Sequence, residues 1–266
     1  MQHIRVATYN VHKCEGLDRR VSPLRIATVI REFKPDVIGL QEVLGDQAEW
    51  LARHLEYHFA LGEVRRHNTQ PYGNAILSRF PLSGVCTYDL TAPGRERRGC
   101  VRTALSLPDG QVLHLFNLHL GTAFLERRYQ ARRIVEAEII ASKDLPGPRI
   151  VLGDFNEWTR GLVSTMLSAE LKGADIRLHL KQPRTYPGLF PLLHLDHIYY
   201  DEDLVVERVI LHRTPRSLLA SDHVPLIADF RVLPPTGRRS RTVAADSRAL
   251  SEKPHSDPAD EVPASP

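Results

Sequence analysis

The sequence predicts an α/β domain in which helices cover mixed sheets, and three observations predict it. Short β-type runs alternate with amphipathic stretches of helical period through residues 4–232. One pair of runs is joined by a tight turn while others are separated by helix-length segments, so hairpins and crossovers occur together. The chain is 42% hydrophobic and 25% charged over 266 residues, enough to bury a large core as one sizeable domain or two small ones.

The elements follow in order. Residues 4–10 ("IRVATYN") alternate into a first strand. In "SPLRIATVIREFK" Ser22 is placed to cap a helix and Pro23 to occupy its first position; Ile26, Val29, Ile30 and Phe33 fall at helical spacing. "DVIGLQE" (36–42) is a second strand, residues 46–56 a second helix and "GNAILSR" (73–79) a further strand. "VRTALSLPDGQVLHLFNLHL" (101–120) reads as two strands about a Pro-Asp-Gly turn. A long amphipathic helix is expected over 125–143, a strand over 149–154 and a short helix over 160–169. The last third supplies strands at 194–200, 204–211 and 224–232, and no internal repeat is visible.

Composition narrows the class further. The net charge of +3 is far from that of a polybasic protein. Nearly all the cations are arginine, which suits bidentate contact with phosphate or carboxylate; a coding bias towards arginine would give the same composition. Three scattered cysteines (Cys14, Cys86, Cys100) suggest neither a disulfide framework nor a zinc site, so a reducing compartment is expected. No run reaches the roughly 18 apolar residues of a membrane span, and "MQHIRVATYN" lacks a signal-like apolar stretch. A cytoplasmic monomer without an integral membrane segment is expected. From residue 234 to 266 the chain is rich in Pro, Ser and Ala with balanced charges, so a disordered tail is expected beside a folded domain over 1–233.

Polar residues gather at the strand ends. Asn10 closes "TYN", Gln41 and Glu42 close "GLQE", and His119 closes "NLHL". Asp154 and Asn156 follow "IVLG", Asp196 lies in "LDHI", and Asp222 and His223 precede "VPLIADF". Any one of these reads equally well as turn punctuation. Together they suggest one polar cluster along a sheet edge, where α/β folds place ligands. Oxygen donors without cysteine suit a hard ion such as Mg²⁺. Histidines beside carboxylates suit proton transfer and stabilisation of developing charge. Hydrolysis of a phosphate ester needs that combination.

The ordered series "TYN", "LQE", "GNAILS", "NLHL", "GDFN", "LDHI" and "SDH" resembles the endonuclease/exonuclease/phosphatase superfamily over residues 3–231. That group includes DNase I, AP endonucleases, neutral sphingomyelinases and inositol polyphosphate 5-phosphatases. "RTYPGLFPLLHLDHIYY" adds a resemblance to its compact bacterial YbhP-type subgroup. The resemblance implies a DNase I-like four-layer α/β sandwich: two packed mixed β-sheets flanked by helices. It implies Glu42 as the principal ligand of Mg²⁺ (Mn²⁺ as a substitute), with Asn10 contacting metal or phosphate and Asp222 completing the metal end. Asp154 would activate the attacking water and Asn156 would hold a phosphate oxygen. His223, oriented by Asp196, would sit against the phosphate as an imidazolium or proton donor. His119 matches the family histidine that serves as acid for the leaving group. Asn74 stands where DNase I-like members place a carboxylate partner for it. An amide does not hold a histidine charged, so hydrogen bonding to substrate is the role expected of His119.

Two features bear on the substrate. The basic clusters "GRERRG" (94–99) and "RRYQARR" (127–133) read either as solvated faces or as phosphate contacts, with Arg98 the candidate because it lies in a loop. "YPGLFPLL" (186–193) reads as a packed loop or, if exposed beside the site, as a rest for lipid or for a base. The expected activity is a metal-dependent phosphodiesterase, with nucleic acid favoured over a phospholipid headgroup or small phosphate ester. A non-catalytic phosphate-binding scaffold is the alternative from another class. A Rossmann domain is excluded, because no Gly-x-Gly-x-x-Gly follows the first strand.

Overall fold

In the computed structural model, strand β1 (Gln2–Asn10) shows how the layers arise. Its Ile4 and Val6 enter one core while Ala7 and Tyr9 enter another, as the period-2 alternation of a strand requires. The structure describes residues 2–136, 139–140, 145, 147–157, 161–173, 184–187 and 193–234.

The first sheet joins β1 to β2 (Val37–Leu44), β3 (His58–His67), β4 (Gln70–Ser78), β11 (Leu204–Leu211) and β12 (Leu226–Val232), in the order β11-β12-β1-β2-β4-β3. The second holds β5 (Leu82–Asp89), β6 (Gly99–Ser106), β7 (Val112–His119), β8 (Arg149–Asp154), β9 (Lys172–Gly173) and β10 (Asp196–Tyr200), in the order β5-β6-β7-β8-β10-β9. β1–β2 and β7–β8 are parallel and the other pairs antiparallel, so both sheets are mixed.

Between the sheets, Ile4, Val6, Val37 and Ile76 pack with Leu113, Leu115, Leu152 and Ile198. Helices α1 (Pro23–Phe33) and α2 (Gly45–Leu55) cover the first sheet through Ile26, Ile30 and Leu51. Helices α3 (Phe124–Glu136) and α4 (Leu162–Glu170) cover the second through Ala131, Ile134, Val163 and Leu167. The result is the helix–sheet–sheet–helix sandwich that the motif series implied. The α1 start is as the sequence predicts: the Ser22 hydroxyl accepts the Arg25 N–H at 3.4 Å and Pro23 opens the helix.

Several elements differ from expectation. β3 and β5, each an edge strand of its sheet, and α5 (Pro215–Ala220) have no counterpart in the sequence reading. The helix expected over 125–143 ends at Glu136, with Ile139 and Ile140 in a turn and 141–144 outside the described residues. The strand expected over 194–200 begins at Asp196, and α4 begins at Leu162 rather than at 160. Most of "YPGLFPLL" and the tail beyond Pro234 lie outside the described residues. Cys14, Cys86 and Cys100 are free thiols. Among the described residues no helix is long and apolar enough to cross a membrane.

Candidate active site

Parallel pairing puts strand ends side by side. β1 pairs with β2 so that Asn10 lies opposite Gln41. In the other sheet His119 lies opposite Asp154, and Asp154 opposite Asp196. The two sets meet where the sheets face each other: Asn10 Nδ2 donates to Glu42 Oε1 and to Asp154 Oδ2, both at 3.0 Å. Asn10 Oδ1 accepts the His12 N–H at 3.1 Å, which fixes the amide orientation.

Glu42 reaches the site through a β-bulge. The register between β2 and β4 shifts between Leu40 and Val43, and Glu42 adopts a left-handed φ of 54°. Bulges of this kind re-aim a side chain beside a site. Asn117, fully buried on β7, spans the gap between the sheets beneath it. Its Nδ2 donates to the carbonyls of Leu40 at 2.9 Å and Ala75 at 2.8 Å, and its Oδ1 accepts from Gln41 Nε2 at 2.6 Å. Gln41 Nε2 also donates to the Thr8 hydroxyl at 3.0 Å. Burial works against the Glu42 charge, but His119, the Asn10 hydrogen bond, His12 and Lys13 prevail and hold its carboxyl at about 2.

Asp154 is the hub. Its Oδ1 accepts the Asn156 N–H at 2.9 Å, and its Oδ2 lies 3.7 Å from both His119 Nε2 and His223 Nε2. The two histidines differ. Burial lowers the pKa of His119 despite Asp154 and Glu42. Its Nε2 is 3.1 Å from Asn156 Nδ2, which also donates to the Leu120 carbonyl at 2.8 Å. A neutral ring accepting that N–H fits both facts. His223 is buried too, yet Asp196, Asp154 and Asp222 raise its pKa to about 10. Its Nδ1 is 2.9 Å from Asp196 Oδ2, so the ring is an imidazolium near neutral pH.

The remaining expected residues fall around this hub. Asp222 Oδ1 lies 3.3 Å from the Ser221 hydroxyl oxygen and 3.9 Å from His12 Nδ1. Asn74 Nδ2 donates to the Gly99 carbonyl at 2.8 Å, an anchor within the cleft wall. Arg98 pairs with Glu96 at 2.9 Å and lines a cleft with Glu42, Tyr72, Asn74 and His119. Sequence reasoning gave no role to His12, Ser221, Tyr186, Gln41 or Asn117. The Ser221 hydroxyl donates to the Asn10 carbonyl at 2.8 Å, and the Tyr186 ring lies 4.8 Å from that of His223. Ser221, Gln41 and Asn117 stand inside the motifs "SDH", "LQE" and "NLHL", so their signal was present.

Among the described residues no group of three or more His, Cys, Asp or Glu side chains is gathered as metal ligands. The donor chemistry nonetheless fits Mg²⁺, which needs one or two carboxylates and keeps several waters. Glu42 offers a carboxylate held ionised, with one oxygen on Asn10.

Residues 7–223 match the Endonuclease/Exonuclease/phosphatase family. The YbhP protein of Escherichia coli K12 is 31% identical over 247 residues, which covers 86% of this chain and 96% of that protein. The catalytic domain of human Nocturnin, solved with a bound sulfate anion, has a TM-score of 0.71 at 23% identity over 86% of this chain and 94% of its own. A mannosyl-6-phosphatase from Bacteroides thetaiotaomicron has a TM-score of 0.69 at 20% identity over 86% of this chain and 99% of its own.

Proposed function

Because the chain belongs to the endonuclease/exonuclease/phosphatase family, we propose that it hydrolyses phosphodiesters by attack of water on phosphorus, assisted by Mg²⁺. Family membership supports phosphoric-ester hydrolysis and divalent-metal dependence in general. The observation that carries the finer reading is Asp154 Oδ2, poised 3.7 Å from both His119 and His223 and tied through Asn10 to Glu42.

Glu42 would hold the ion, with Asp222 and Asn10 at its margin; the ion supplies positive charge against the phosphoryl oxygens. Asp154 takes a proton from the attacking water. His223, charged through Asp196, donates from Nε2 to a phosphoryl oxygen and stabilises charge that grows in the transition state. Asn156 and neutral His119 orient the phosphate. Water adds to phosphorus, the bond to the leaving oxygen breaks, and that oxygen is protonated as Asp154 releases its proton.

Bis-p-nitrophenyl phosphate with Mg²⁺ tests this. Asp154→Ala and His223→Ala are each expected to lower turnover by about 10²–10⁴-fold with circular dichroism unchanged. Near-normal turnover in either variant would overturn the mechanism. Arg97 and Arg98 line the cleft, so the phosphodiester is expected to belong to an anionic substrate, a nucleic acid or a phospholipid headgroup.

A further inference from the structure

Exposed apolar side chains are not spread evenly. Leu17, Val21, Leu24, Phe124, Leu125 and Leu219 are 43% to 68% exposed, and all stand on segments that leave or enter the site. Leu17 and Val21 belong to the hairpin after Asn10, closed by a bridge between Glu15 and Val21, and Leu24 lies in the first turn of α1. The Leu17 N–H donates to the Leu219 carbonyl at 3.2 Å, which ties that hairpin to α5. α5 runs directly into Ser221, whose hydroxyl holds the Asn10 carbonyl. Phe124 and Leu125 open α3, shortly after His119. The other two exposed large apolar residues lie elsewhere: Phe59 pairs with Leu77 at the opposite end of its sheet, and Val85 is within edge strand β5.

Cations share this edge. Arg19 and Arg20 are exposed at the tip of the hairpin, and Arg95 and Arg97 are exposed on the loop before β6, beside the cleft. Among the neighbouring acids, Asp18 is engaged by Arg25 at 2.7 Å, Glu96 by Arg65 at 2.8 Å and Arg98 at 2.9 Å, and Asp89, which feels the charge of Arg97, accepts the Thr91 N–H at 2.8 Å. Among the described residues Arg19, Arg95 and Arg97 have no salt-bridge partner.

Isolated exposed apolar residues need no explanation, but a concentration at one rim marks an interface. Single-stranded nucleic acid is gripped by aromatic platforms, whereas five of these six residues are aliphatic. Aliphatic side chains flanked by arginines match the boundary of a membrane, with acyl chains below and anionic headgroups above. We infer that the site edge docks on an anionic lipid surface and presents a phospholipid headgroup phosphodiester to Asp154 and His223. The headgroup assignment rests on the phosphodiesterase reading above; the docking does not.

The test is sedimentation of the full chain with vesicles of equal parts phosphatidylcholine and phosphatidylglycerol. Binding is expected to those vesicles, to weaken with salt, and to be absent from pure phosphatidylcholine. Leu17→Ser combined with Leu125→Ser should weaken binding by about tenfold or more while hydrolysis of bis-p-nitrophenyl phosphate is unchanged. No sedimentation with the anionic vesicles would overturn the inference, as would binding indifferent to the double variant. Tight binding to DNA, lost in Arg95→Glu, with vesicles ignored would also overturn it and restore nucleic acid. If the chain binds vesicles but does not hydrolyse the soluble diester, docking stands and the phosphodiesterase reading falls.

Discussion

Asp196 is fully buried and meets His223 Nδ1 at 2.9 Å, and the consequence can be measured as stability against pH. The imidazole pKa rises from 6.5 to about 10 on folding: burial opposes the charge, but Asp196, Asp154 and Asp222 outweigh it. Below pH 6.5 the ring is charged in folded and unfolded chains alike, so the stabilisation is fully present. Between 6.5 and about 10 the folded chain binds more protons, so stability falls as pH rises, and above about 10 this contribution is gone. Urea unfolding in EDTA across that range should show the decline in the wild type and a shallower one in Asp196→Asn; parallel curves would refute the coupling. Glu42 runs the other way. Its carboxyl is held at about 2 against an ordinary 4.5, so its contribution is present above 4.5 and is lost as pH falls through about 2. The sequence reading reached Asn10, Glu42, His119, Asp154, Asn156, Asp196 and His223, which do gather within one cluster, because each stands at or beside a strand end. It gave no role to His12 or Tyr186, whose nearness to Asp222 and His223 arises from loop geometry.

At the level of elements, the bulge in β2 decides where Glu42 points, and Asn117 braces that bulge. Replacing Asn117 by leucine takes the amide donor from the Leu40 and Ala75 carbonyls inside the sandwich and leaves the Gln41 amide with Thr8 and Gly39 alone. Each lost partner costs about 1–3 kcal/mol, not additively. Asn117→Leu is therefore expected to lower unfolding free energy by roughly 2–5 kcal/mol and to raise the Mg²⁺ concentration needed for half-maximal hydrolysis. Unchanged metal dependence in a folded variant would reduce Asn117 to a structural residue. Gly39 shows how little room the clasp leaves: a Cβ there would lie 2.3 Å from Leu152 Cδ1 and 2.8 Å from Asn117 Cγ. The central strands were legible because burial on both faces gives near-continuous apolar runs such as "VIGL" and "RIVLG". β3 and β5 were not, because they are edge strands, largely exposed and interrupted by charges or small residues. The long helix was overextended because apolar spacing continues through Ile139 and Ile140, which the turn buries all the same.

Considered as a whole molecule, the chain places its site across the junction of two sheets, so neither sheet can form the site alone. Asn10 and Glu42 come from one, His119, Asp154 and Asp196 from the other. The core cluster that unites those sheets runs from Ile4 to Val232, and Met1–Thr236 forms its own compact unit. The segment after it is expected, from a composition rich in Pro, Ser and Ala with few large apolar residues, not to pack on the domain. Its charges also cancel: Arg238, Arg239, Arg241, Arg248 and Lys253 stand against Asp246, Glu252, Asp257, Asp260 and Glu261. Removing residues 237–266 is therefore expected to leave the core intact, and it leaves unchanged the net charge on which electrostatic attraction to phosphate or lipid depends. The shortened chain is expected to keep its melting temperature within about 1 °C, along with wild-type turnover and vesicle binding. A loss of about 4 °C or more, which for a domain of this size corresponds to 1 kcal/mol or greater, would mean that the segment packs on the domain. The division at residue 233 would then be wrong. Loss of vesicle binding alone, with melting unchanged, would instead assign the membrane contact to the tail and take it from the apolar rim.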